Sequence, residues 1–364
     1  MEIKMKKKIL FVGAEIMPFA ATGGLGDVLG SLPAAIKANL GEDGDIRAVM
    51  PLYSNIGAAF REKMTKVAEF NVKLSWRNQY CGVYELIKDG VVFYLLDNEY
   101  YFKRKALYGE FDDGERYAYF CKAALEMLCH LDWKPDVLHA HDWQGALSLV
   151  YLCRKYRLIE GFADIKTVFT IHNIEYQGKY DFSILGDVFD LMPSERGLMD
   201  YNGCINLMKA AIVCADRVNT VSPRYAEELL AGENAHGLSH ILNMYSDKFS
   251  GILNGIDYDY YDPAKDPAIE KKFNSDTAIE GKAENKLALQ RATGLPERTD
   301  VPMIAIISRL ATHKGLDLVT EIAERLLATK DVQLVVLGKG ESSYESFFVS
   351  LEARFPEKMR ALIQ

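Results

Sequence analysis

The sequence predicts an α/β chain of two doubly wound parallel-sheet domains, and three observations lead there. Short apolar runs rich in β-branched and aromatic residues recur along the chain, stretches of helical spacing separate them, and one segment after residue 250 interrupts the alternation. Strands buried on both faces read as continuous apolar runs, and strands alternating with helices form parallel sheets covered on both sides.

Residues 9–13 are the first run, and 25–40 carry the helical spacing that follows it. Runs at 45–50, 91–95, 136–139 and 166–171 continue the series, with helices expected at 116–131 and 144–156. Residues 70–76 and 81–87 are expected to form an antiparallel hairpin inserted among these parallel units. The stretch 251–276, which includes Leu253, Asn254, Gly255, Ile256 and Asp257 and is rich in Tyr, Asp and Pro, has the composition of a connector. The boundary is therefore placed between a first domain, 1–250, and a second, 251–364. Beyond it, runs at 303–307 and 332–337 with a helix at 316–327 between them restart the strand–helix–strand pattern, and Gly338, Lys339 and Gly340 precede one more helix. Too few strands follow for a full sheet, so the second domain is either small or truncated.

A chain of 364 residues, 49% hydrophobic and 26% charged, buries a substantial core, and its length favours about two domains. The 43 Lys and Arg against 51 Asp and Glu leave a net charge of -8, which disfavours nucleic acid and anionic membrane as partners and requires any phosphate site to be locally basic. Cys81, Cys121, Cys129, Cys153, Cys204 and Cys214 form no closely spaced pair and are expected to be reduced, mostly buried thiols. The basic start from Lys4 to Lys8 and the apolar run after it resemble a leader, but Glu15 ends that run too soon. No stretch reaches the ~18 apolar residues of a membrane span. The expected location is the cytoplasm.

Four clusters carry candidate chemistry. Thr22, Gly23, Gly24, Leu25, Gly26, Asp27 and Val28 lead from the first strand into a helix. Glycines permit close backbone approach to a ligand, and helix N-terminal amides favour an anion or an oxygen-rich group, although the same pattern also serves as a plain turn. The glycine spacing matches neither the dehydrogenase fingerprint nor a P-loop. His139, Ala140, His141, Asp142 and Trp143 end another strand, the edge where open α/β sheets place ligand groups. Their spacing reads as a metal site, as structure, or as polar recognition of a ligand. His172 and Asn173 follow the next strand, and Arg309, His313 and Lys314 follow the first strand of the second domain. An Arg fork and a Lys point charge before a helix suit a diphosphate, and groups drawn from two domains imply closure on the ligand.

In order and spacing these clusters, with residues 215–223 and the Leu253-Asn254-Gly255 stretch, resemble bacterial glycogen synthases and plant starch synthases over essentially the whole chain. The resemblance implies a GT-B architecture, two Rossmann-like domains facing across a cleft with the second incomplete. It further implies a retaining enzyme that moves glucose from ADP-glucose to the 4-hydroxyl end of an α-1,4-glucan such as glycogen, with no metal or organic cofactor. By that pattern Arg309 and Lys314 hold the diphosphate and offset charge on the departing ADP. Asp142 and His172 fall on catalytic-side positions. Thr22, Gly23, Gly24, Gly26, Asp27, Tyr108, His139, Asn173 and Asn254 fall on substrate-binding ones.

Two departures stand out. Ala21 replaces the usual Lys before Thr22, a loss worth about 1.5–3 kcal/mol if that charge-assisted contact is otherwise made. The chain also stops before the family's Glu-Pro-Cys-Gly-type segment. Two readings from other classes stand beside this one: a metal-dependent hydrolase on His139, His141 and Asp142, and a non-catalytic glucan- or nucleotide-sugar-binding protein.

Overall fold

The apolar run at 9–13 lies in a central strand of a nine-stranded sheet. A computed structural model describes residues 6–364; of the basic start, Lys4 and Met5 lie outside the described residues. The chain divides into two units, one ending at Gly255 and the other spanning Ile256–Gln364.

In the first unit the strands are β1 (Lys7–Val12), β2 (Gly44–Pro51), β3 (Thr65–Leu74), β4 (Arg77–Lys88), β5 (Val91–Asp97), β6 (Val137–His141), β7 (Lys166–Ile171), β8 (Lys179–Tyr180), β9 (Asp200–Tyr201), β10 (Cys204–Asn206), β11 (Arg217–Thr220) and β12 (Phe249–Gly251). The large sheet runs β12-β11-β7-β6-β1-β2-β5-β4-β3, parallel from β12 to β5, with the antiparallel hairpin β3–β4 closing one edge. β8, β10 and β9 form a separate small antiparallel sheet. Chain order leaves β1 toward β2 on one side and toward β6 on the other, so the carboxyl ends of β1 and β6 mark the topological switch point where open sheets hold ligands.

Helices pack against the sheet. Gly24–Leu40 buries Leu25, Leu29 and Pro33, one stripe at a spacing of four. Asp142–Tyr151 is buried along its whole length and continues into a wider turn, Leu152–Tyr156. The hairpin is longer than the sequence suggested, and Trp76 belongs to its turn, where Ser75 has φ +55°. There Trp76 Nε1 donates to Asp187 at 2.6 Å, while Arg77 bridges Asp187 and Glu115 and lies 4.4 Å from the Trp76 ring.

All six cysteines are free, but only Cys81 and Cys121 are buried. The expectation of mostly buried thiols is corrected: Cys129, Cys153 and Cys214 sit on the last turns of helices, where the core-facing stripe runs out.

The second unit has one parallel three-stranded sheet among the described residues, β13 (Met303–Ile307), β14 (Gln333–Leu337) and β15 (Met359–Leu362), with β14 in the middle. Helices Ala278–Thr293, Leu316–Thr329 and Ser342–Arg354 accompany it. β14 is buried, whereas β13 leaves Ile304 and Ile307 39% and 75% exposed.

Candidate active site

Residues 139, 141 and 142 form one polar patch because strand alternation puts His139 and His141 on the same side of β6, their rings 4.2 Å apart and stacked. His139 Nε2 lies 2.6 Å from Thr170 Oγ1, and Thr170 gives its own proton to Asn219 Oδ1 at 2.8 Å. His139 is therefore the donor, protonated on Nε2. His141 Nδ1 meets His172 Nε2 at 2.9 Å, while His141 Nε2 is buried without a partner. Burial, with the neighbouring imidazoles, pushes His139 down to about 3 and His141 lower than the ordinary range; burial takes His172 to about 4. All three rings are neutral at pH 7.

Asp142 opens its helix with φ +50°, a left-handed conformation that costs a non-glycine residue about 1–3 kcal/mol. Its Oδ1 accepts the backbone N–H groups of His172 at 2.8 Å and Asn173 at 3.3 Å, tying the ends of β6 and β7 together. Burial raises its carboxyl to about 7 against the pull of those two donors, with Glu15 adding to the rise. A carboxyl poised there exchanges a proton near neutrality. Asn173 uses its Oδ1 on its own turn, accepting Glu175 N at 2.9 Å.

Tyr108 is delivered by a locked segment. The Leu107 carbonyl before it accepts from buried Arg116 at 3.2 Å and from Tyr117 Oη at 2.7 Å. Burial drives the Tyr108 phenol well up, and its Oη is buried without a hydrogen bond.

Within the glycine turn two amides are used by the protein itself. The amides of Thr22 and Gly23 are not open to a ligand: both donate to Glu15 Oε2, and the Thr22 hydroxyl donates to Glu15 Oε1 at 2.8 Å. Thr22, Gly23, Gly24 and Asp27 are exposed. Gly26 is buried, and a Cβ there would come within 2.3 Å of Ala21 Cβ, so this position has room only for glycine.

In the second unit the turn after β13 carries Arg309 and Lys314, both exposed and without an ion pair among the described residues. The turn is braced by its neighbour after β14. Leu310 N donates to Lys339 O at 3.0 Å, Glu341 N donates to Leu310 O at 2.7 Å, and a Cβ on Gly338 would strike Ser308 O at 1.9 Å. Gly315, at φ +71°, then starts the helix Leu316–Thr329. Asn254 is exposed at the connector.

The structure thus gathers His139, His141, Asp142, His172 and Asn173 within the first unit, with Arg309 and Lys314 on one turn of the second. Sequence reasoning gave no role to two candidates. Lys339, exposed at the end of β14, had a signal in its Gly-Lys-Gly setting; Glu15 had none beyond ending an apolar run. Among the described residues no three His, Cys, Asp or Glu side chains converge as metal ligands. No helix among them is long and apolar enough to cross a membrane.

The starch synthase catalytic domain family matches residues 8–244. A glycogen synthase of Streptococcus pneumoniae serotype 2 is 45% identical over 356 residues, covering 97% of this chain and 73% of that protein. One from Streptococcus mutans serotype c is 45% identical over 359 residues, covering 98% and 74%. The catalytic domain of starch synthase IV from Arabidopsis thaliana, solved bound to ADP and acarbose, superposes with a TM-score of 0.89 at 31% identity, covering 99% of this chain and 74% of that one. The chain therefore belongs to the glycogen and starch synthase family, GT-B-like glycosyltransferases with two Rossmann-like α/β domains that transfer a sugar from a nucleotide-sugar donor to a glucan acceptor.

Proposed function

We propose that this chain transfers glucose from ADP-glucose, with retention, to the 4-hydroxyl at the non-reducing end of an α-1,4-glucan such as glycogen. The observation that carries the reading is the pair of cations Arg309 and Lys314, without ion partners among the described residues, on a braced strand-to-helix turn in a chain of net charge -8. Unpaired guanidinium and ammonium groups fixed this way suit the charge that grows on a departing diphosphate.

In this reading the bond from the glucose anomeric carbon to the β-phosphate oxygen of ADP breaks as Arg309 and Lys314 take up the developing charge. The acceptor hydroxyl attacks from the same face, and its proton passes to the departing phosphate oxygen. Asp142 is no covalent nucleophile. Its second carboxylate oxygen, free of the backbone donors that hold Oδ1, orients a sugar hydroxyl. His172 and Asn173 bind on the same edge, Thr22, Gly23, Gly24, Gly26 and Asp27 shape the turn beside it, and Tyr108, His139 and Asn254 complete the substrate contacts.

The test is transfer of labelled glucose from ADP-glucose to glycogen by this chain, with UDP-glucose in parallel. Transfer from ADP-glucose with retention supports the reading. Glycogen binding without transfer from either donor favours the non-catalytic binding protein.

A further inference from the structure

The turn that was expected to offer its amides to a ligand is already occupied from within. Glu15 follows β1, is 4% exposed, and makes no ion pair among the described residues. The chain leaves it, pairs Ile16 with Ala20, sends Met17 N to Gly26 O at 3.0 Å, and returns to the same carboxylate at Thr22 and Gly23. The three donors there are the Thr22 amide, the Thr22 hydroxyl at 2.8 Å and the Gly23 amide at 3.2 Å.

Gly23 is the residue that precedes the helix Gly24–Leu40 and has no side chain to cap it. Helix starts leave orphan N–H groups that a Ser, Thr, Asp or Asn usually satisfies, and they carry partial positive charge. Of these groups Glu15 takes only the Gly23 amide, together with the Thr22 amide one residue earlier, so it holds the turn that leads into the helix and leaves the amides of Gly24 and Leu25 uncapped.

The same carboxylate lies at the switch point between β1 and β6. The ends of β1 and β6 are paired, with Glu15 shortly past the first and Asp142 directly past the second, and the Glu15 charge adds to the rise of both the Asp142 carboxyl and the Tyr108 phenol. The other groups facing Asp142 are Tyr225 from the helix Pro223–Ala231 and the neutral rings of His141 and His172.

We propose that Glu15 is a positioning residue of the transfer site: its carboxylate clamps the Thr22–Gly23 turn onto the helix start and fixes a negative charge beside Asp142. The clamp stands on geometry alone, while its effect on turnover rests on the transferase reading above. The amides of Gly24 and Leu25, which make no hydrogen bond among the described residues, are the ones left to face a substrate oxygen.

Thr22 and Gly23 are exposed, so nothing but this clamp protects their amides from solvent exchange. The experiment is hydrogen exchange of the 16–30 region in the wild-type chain, Glu15→Gln and Glu15→Ala, with carboxyl-carbon NMR titration of Asp142 assigned through Asp142→Asn. Glu15→Ala is expected to speed exchange at Thr22 and Gly23 by tenfold or more while β2 and β5 stay protected. Glu15→Gln, nearly isosteric and folded where alanine fails, is expected to move the Asp142 titration downward, because a neighbouring negative charge has been removed. A merely structural Glu15 would leave that titration in place. Unchanged exchange in Glu15→Ala, or an unmoved Asp142 in Glu15→Gln, overturns the proposal. Where the wild type transfers glucose, Glu15→Gln lowers kcat; an unaltered kcat also overturns the positioning role. A wild type that transfers none counts against the transferase reading, and exchange and titration still decide the clamp.

Discussion

The two units equip their sites in opposite ways. In the first, the groups are buried, neutral and bonded to one another: His141 to His172, His139 to Thr170, Asp142 to two backbone amides. In the second, Arg309 and Lys314 are exposed and charged, with no ion pair among the described residues. A neutral buried network is assembled by folding and is felt in stability before any substrate arrives. Exposed cations contribute little until a ligand of opposite charge displaces water from them.

The largest expected effect tests the first half of that contrast. Imidazoles depressed in the fold give stability above the ordinary value of 6.5 and lose it as pH falls toward 4, since the unfolded chain then takes protons the native state refuses. Asp142, raised to about 7 from 3.8, works the other way, with stability present below 3.8 and lost as pH rises through 7. His139 and His172 alone outweigh the carboxyl by about 2 kcal/mol between pH 7 and 4.5, and His141, shifted the same way, adds to the loss expected of the first unit. Hydrogen exchange of β6 and β7 against β14, corrected for intrinsic rates, reads the difference; equal losses in both units would break the comparison.

Next in size, Arg309→Ala or Lys314→Ala is expected to lower kcat for glucosyl transfer by about 100-fold or more with an unchanged melting temperature and unchanged glycogen binding. A fall in melting temperature would show that these cations are structural after all. His172→Ala strands His141 Nδ1 as a second unpaired atom on one buried ring and is expected to cost about 1–3 kcal/mol in denaturant titration, a loss Lys314→Ala does not share. The smallest effect belongs to β13: Ile307→Thr, at a 75% exposed position, is expected to change stability by less than about 0.5 kcal/mol.

What the sequence conveyed follows from what is local. The strand at 9–13 and the helix at 25–40 were legible because burial writes itself as an apolar run or a stripe. The strands β8, β9 and β10, two or three residues each, are too short to show a period. Likewise the positions of His139, Asp142 and His172 were legible from strand ends, but their bonding was not: the partners of Asp142 are backbone N–H groups about thirty residues away, and any residue type supplies those. Glu15 escaped notice for the same reason. The cysteines misled because residue type predicts burial only on average, and helix ends sit where the average fails.

The Trp76–Arg77–Asp187 contact has a consequence for how the molecule comes to be. A hairpin with a tight turn is among the fastest structures a chain forms, on the scale of microseconds. Here its tip is completed by a residue encoded 111 positions after Trp76, beyond β5, β6 and β7. The tip of this edge is thus completed by a contact of long sequence separation, the kind whose loop-closure entropy slows folding. Until that later segment is placed, the hairpin tip is held only by its own ladder, which ends at the Leu74–Arg77 pair, and the Trp76 indole lacks its Asp187 acceptor.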